Sequence, residues 1–353
     1  ALRDFIRDEY IPACRESVAL SALPDGEAWY AYQVKTMTTT DMTPDEIHQF
    51  GLDEVARIHG EMRQVMAEVG FEGELQDFFA HLEQDERFYF TDAQELIQGY
   101  EELRARVQAA LPAMFDIAPK TGYEVKPVPE YMAESSAGAF YQPDTPDGSR
   151  KGAFFVNTHN LKAQPRFSMM TLSIHEAEPG HHFQISIARE IEDLPGFRRF
   201  GGGSAYFEGW ALYAESLGRE LGLLDDPYDY YGRLSDELLR AMRLVVDTGL
   251  HHKGWSRQQA IDYMLESSSM AESDVIAEVE RYIAFAGQAL AYKVGQREIS
   301  SLRAEAEAAL GEDFDIRAFH RAVLIDGALP LMVLERKMDE WLADQQAGLQ
   351  AAR

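Results

Sequence analysis

The segment His175-Glu176-Ala177-Glu178-Pro179-Gly180-His181-His182 sets three imidazoles and a catalytic-type carboxylate in one short window, although histidine supplies only 10 of the 353 residues. Zinc hydrolases use such density to hold a metal and activate water. In a regular His-Glu-x-x-His helix the two histidines stand four apart and share a face. Here His181 follows His175 by six positions, which on an ideal helix is about 120° around and about 9 Å along the axis. His182 returns to the right face but about 10.5 Å along. With zinc–nitrogen bonds of about 2.0–2.1 Å, neither can share a metal with His175 on a straight helix. Pro179 offers no N–H to the His175 carbonyl and its ring clashes there, while Gly180 tolerates unusual backbone angles. The sequence therefore predicts a break at Pro179-Gly180 that lets His175 and His181 converge as ligands. His182 remains a competitor for that role, or a group facing an outer carboxylate or the substrate. Glu176, beside the first ligand, is placed to take a proton from a metal-activated water and pass it to a leaving amine. Glu178 reads as a solvent-facing or structural acid.

A third protein ligand is needed. Glu208 and Glu215 are seven apart in an otherwise apolar helix, hence on nearly one face and about two turns removed. One can bind metal while the other supports a ligand histidine. Glu208 is the chosen ligand, because Gly209 permits close approach to the His175 helix. The expected complement is one zinc ion held by His175, His181 and Glu208.

The elements that must carry these groups are mostly helical. Residues 2–17 read as a helix and 21–41 as a packed irregular region. Thr43-Pro44-Asp45-Glu46 is a helix start with a capping box, opening a helix to Val69. Helices follow at 73–84 and from Thr91-Asp92 to Ala110. Between 123 and 160 the pattern changes. The prolines of 124–129 exclude a central strand, whereas 138–141 and 152–157 read as two strands around the turn-rich 143–148. Helices are then expected at 166–174, 205–218, 229–246, 256–265, 272–293, 301–309, 315–324 and 330–346. The fold class is mainly α, one domain over residues 1–353 with a small antiparallel sheet beside the cleft.

The composition narrows the partners. With 60 acidic against 33 basic residues the formal charge is −27, which argues against nucleic acid or an anionic membrane surface. No run reaches the roughly 18 apolar residues of a membrane span. A lone cysteine, Cys14, excludes an internal disulfide and a thiolate metal site, and reads as a core or half-buried small side chain. The first residue is Ala1 rather than methionine, which we read as a processed chain or the C-terminal part of a longer one. A periplasmic or secreted location is favoured over a cytoplasmic one.

Several blocks together resemble the bacterial family known as DUF885. They are His175 to Gln184, Glu208 to Glu215, Arg243 to His251 with Gly254-Trp255-Ser256, and Gly287 to Gly295. The chain departs modestly from the family pattern, having Ala286 where members often have proline. The family is similar to helical zincins with a glutamate ligand, so the resemblance implies zinc-dependent hydrolysis of peptide bonds. A zinc peptidase needs a donor to the developing oxyanion. Tyr292 is the candidate, with His251 as alternative or partner. For the substrate, Arg243 is suited to clamp a terminal carboxylate, though pairing with Asp247 is an equal reading. Lys293 is a weaker carboxylate candidate. The strand at 152–157 is expected to hold extended peptide by edge pairing, with Asn157 near the cleft entrance.

Overall fold

The computed structural model describes residues 1–134, 136–145 and 148–352. Pro146 and Asp147 of the expected 143–148 turn lie outside the described residues. Local chemistry sets the first long helix, α1 (Pro44–Glu68). The Thr43 hydroxyl accepts from the Glu46 N–H, and the Glu46 carboxylate accepts from the Thr43 N–H at 2.8 Å. Ile47, Val55, Ile58, Met62 and Met66 form its buried stripe, the spacing of one helical face.

Further along, α2 (Ala93–Ala110) is capped by Asp92. Three short strands follow, β1 (Tyr123–Pro127), β2 (Ala139–Gln142) and β3 (Gly152–Val156). Then come α3 (Met169–Glu176), α4 (His181–Glu190), α5 (Ser204–Ser216), α6 (Pro227–His251) and α7 (Ala291–Leu310). The chain closes with helices at Ile316–Leu324 and Leu331–Ala352.

The sheet order is β1-β3-β2. β2 runs antiparallel to β3 with Ala139 opposite Val156, as a hairpin pattern requires. β1 pairs parallel to β3, Tyr123 opposite Gly152. The small sheet is therefore mixed rather than antiparallel, and its proline-bearing strand sits at an edge, where a missing N–H is tolerated. Phe154 and Val156 face Leu96 and Tyr100 of α2 and Met169 of α3 in one apolar cluster.

Two helix pairs frame the site. α6 packs along α1, and α5 packs along α7. The second pair touches backbone to backbone: a Cβ on Gly209 would come 2.4 Å from the Gly295 Cα, and one on Gly295 would come 2.0 Å from the Ala205 carbonyl oxygen. Gly209 thus serves the contact with α7 rather than the packing of α5 on the His175 helix.

Helix boundaries also differ from expectation. Residues 26–38 form a helix rather than an irregular region. The expected helix 272–293 ends at Ala284, and Gly287 adopts φ +83° before α7 begins, a left-handed conformation that suits glycine. α7 then runs unbroken through the expected gap before 301. Cys14 is exposed rather than packed in the core.

Candidate metal centre

α3 ends at Glu176, and α4 restarts at His181. Between them Ala177 takes φ −109°, ψ −98°, and Gly180 takes φ −78°, ψ −130°. The Glu178–Pro179 peptide is cis. A side chain is impossible at Gly180, where a Cβ would lie 2.0 Å from the His175 carbonyl oxygen. The turn is held from outside by Trp210, whose indole N–H donates to the Pro179 carbonyl at 2.8 Å. Across this break the rings of His175 and His181 come to 4.8 Å between centroids, nearly perpendicular. A straight helix would have separated those positions by about 9 Å along its axis.

Glu208, projecting from α5, completes the set. Its Oε2 lies 3.3 Å from His181 Nε2 and 3.6 Å from His175 Nε2. One ligand atom from each of the three residues falls within 4.8 Å of the others, and the buried Glu208 Oε2 accepts no hydrogen bond. Two imidazole nitrogens and one carboxylate oxygen converging on one point form a set able to hold a divalent metal, and His₂Glu is a zinc donor set with a position left open.

Charge supports the convergence. Burial alone would disfavour ionised Glu208, but His181 and His175 outweigh it and hold its carboxyl well below the usual range. Burial opposes a charged His175 ring, yet the neighbouring Glu208 and Glu215 carboxylates raise it to about 10. Glu215, fully buried two turns along α5, accepts from His175 Nδ1 at 2.6 Å. That bond fixes the ring so that Nε2 is the nitrogen facing Glu208, the usual way a carboxylate orients a metal-binding histidine.

Behind Glu215 stands a pair to which the sequence reading gave no role. Arg240 Nη2 is 4.0 Å from Glu215 Oε1, and Arg240 Nη1 donates to the Asp236 carbonyl at 3.0 Å. Burial raises Asp236 to about 6, with Arg240 opposing. The signal was present as Asp236 and Arg240 one turn apart, but the carboxylate they back lies on another helix.

Glu176 is buried at the end of α3, next to His175. Tyr292 is half-buried in the first turn of α7, under the Arg243 guanidinium at 4.5 Å from its ring, and within electrostatic reach of Arg240. The Gly209–Gly295 contact brings this turn beside the part of α5 that carries Glu208.

His182 is fully buried and turned away from the cluster, its Nδ1 at 2.9 Å from the Tyr141 hydroxyl. Burial pushes its ring down to about 4, which favours the neutral imidazole. His251 is not brought to the cluster. Its Nδ1 accepts from the Leu20 N–H and its Nε2 donates to the Tyr282 carbonyl, each at 3.0 Å, and it lies eleven residues beyond Arg240, about 16 Å along α6.

Arg243 is committed to Glu278 at 2.9 Å and to the Tyr282 hydroxyl at 3.1 Å. Its alternative partner Asp247 instead accepts from Tyr30 and from the Gly287 N–H. Lys293 is buried among Glu237, Glu54 and Gln296. Asn157 donates to the Ala133 carbonyl at 2.7 Å and accepts from the His159 N–H at 3.0 Å. These four polar groups are spent inside the fold, because partners distant in sequence satisfy them on burial. Strand β3 is central, so it has no free edge for a peptide. Glu178 is buried rather than solvent-facing, and burial raises its carboxyl. A cavity of about 430 Å³ between α2 and the start of α3 contains none of the metal donors in its lining.

The sequence matches the family described as bacterial protein of unknown function DUF885 over residues 1–338. The chain belongs to the DUF885 family. A crystal structure described as "putative lipoprotein" from Colwellia psychrerythraea superposes on this DUF885 chain with a TM-score of 0.93 at 41% identity, covering 96% of this chain and 59% of that one. A "putative lipoprotein of unknown function" from Shewanella oneidensis shares the fold, with a TM-score of 0.79 at 20% identity over 96% of this chain and 63% of the other. The DUF885 chain thus spans about three fifths of the length of these relatives. No curated protein matches it. Among its described residues no helix is long and apolar enough to cross a membrane.

Proposed function

We propose that this chain is a zinc-dependent hydrolase that cleaves peptide bonds. The observation that carries the reading is the convergence of His175, His181 and Glu208, with Glu176 beside the first ligand and Glu215 bonded behind it. Zinc bound there would acidify a water and polarise the scissile carbonyl. Glu176 takes the proton of the attacking water on its carboxylate and returns it to the leaving nitrogen. Tyr292 donates its hydroxyl to the developing oxyanion, with the Arg243 guanidinium against its ring face.

The substrate strand in this reading is β2. Among the described residues it pairs with a strand on one side only and packs on α3, and we assign its other edge to an extended peptide. The description of both relatives as lipoproteins supports an extracytoplasmic, periplasmic or secreted location.

A second reading keeps the metal and changes the acyl partner to another amide or an ester, and its limiting form is metal binding without turnover. It is favoured by the internal engagement of Arg243, Lys293 and Asn157, which removes the cationic and amide groups that would have marked a peptide. The test is hydrolysis of a mixed peptide library by the zinc-loaded chain. Cleavage that is abolished by a chelator and restored by zinc is expected. Chelator-insensitive cleavage would exclude the zinc mechanism, and turnover of esters or small amides alone would favour the second reading.

A further inference from the structure

His181 and His182 are neighbours on α4, about 100° apart around the helix, and they face different structures. His181 joins the metal donors. The fully buried His182 faces the sheet. The Tyr141 hydroxyl, from β2, donates to His182 Nδ1 at 2.9 Å. The buried His182 Nε2 has no hydrogen-bond partner among the described residues, and the Tyr123 ring of β1 packs on the imidazole with centroids 4.9 Å apart.

One and two turns further along α4 the same face continues the contact. Ser186 Oγ lies 3.2 Å from His182 Nδ1 and donates to Asp144 Oδ1 at 3.2 Å. Arg189 donates to the Asp144 carbonyl just after β2. Positions 182, 186 and 189 form one stripe of a helix. Tyr141 reaches this stripe across β3, where Gly152 leaves the space: a Cβ there would come 2.3 Å from the Tyr141 hydroxyl oxygen. Phe140 points to the opposite side of the sheet and stacks on Phe155.

We infer that His182 is a positioning residue: through Tyr141 it fixes the height and register of the β2 edge relative to the metal donor His181 on the same helix. The inference rests on the peptide-hydrolase reading for the use made of that edge. One rigid helix then carries both the ligand and the anchor of the substrate strand. A displacement of β2 moves an extended substrate relative to the donors, whereas a substrate too short to lie along β2 does not register it.

The test is Tyr141→Phe, which keeps the ring and removes only the hydroxyl. Hydrogen exchange at the amides of 139–142 is expected to accelerate while zinc affinity stays unchanged. KM for an extended peptide is expected to rise about five- to tenfold, the scale of one lost hydrogen bond, with little change for a chromogenic single-residue amide. Equal effects on long and short substrates, a fall in zinc affinity, or unchanged exchange at 139–142 would overturn the inference. If the wild-type chain cleaves no peptide, the functional reading falls, and the exchange and zinc-affinity measurements still decide whether His182 anchors the strand.

Discussion

Replacing Glu176 with Gln is expected to lower kcat about a thousandfold, within the range for loss of a general base, while zinc binding is retained. The carboxamide has nearly the shape of the carboxylate, so the end of α3 and the neighbouring His175 keep their places. What is lost is the ability to accept the water's proton and to return it to the leaving nitrogen. Glu176 is outside the convergent donor set, which is why metal content and activity should separate in this variant. A loss of zinc in parallel with activity would make Glu176 a ligand. Undiminished turnover would remove it as the base.

The second large effect distinguishes the two adjacent histidines. His181→Ala is expected to weaken zinc binding by well over about 100-fold, beyond the usual cost of an outer-shell partner, because it removes one of three donors. His182→Asn is expected to leave zinc affinity unchanged, since that ring faces Tyr141 and Tyr123. Competition with a chromogenic chelator measures both. The reverse pattern would require α4 to turn by about one residue and would contradict the observed 3.3 Å approach of His181 to Glu208.

The break between α3 and α4 was legible because its causes are local. Proline lacks a donor and glycine tolerates close backbone approach wherever they occur, and the six-residue spacing of His175 and His181 demanded a break if both bind one ion. The capping box at Thr43 was legible for the same reason. The two-turn spacing of Glu208 and Glu215 was legible too, and it sets Glu208 against His181 and Glu215 against His175 Nδ1.

What the sequence hid depends on distant partners. Lys293 reads as a free cation until Glu54 and Glu237 arrive from two other helices. His251 reads as a spare imidazole until Leu20 and Tyr282 occupy both nitrogens. The parallel pairing of β1 with β3 makes the expected substrate strand central, and no periodicity in 152–157 announces that. Gly287 carried a local signal, but the continuous apolar pattern around it masked the break before α7.

The most direct test of the metal centre is an anomalous difference map, recorded at the zinc edge from crystals of the zinc-equilibrated chain. We expect one strong peak within about 2.0–2.2 Å of His175 Nε2, His181 Nε2 and a Glu208 carboxylate oxygen. A map with no peak there, or with its peak coordinated by His182 in place of His181, would contradict the assignment.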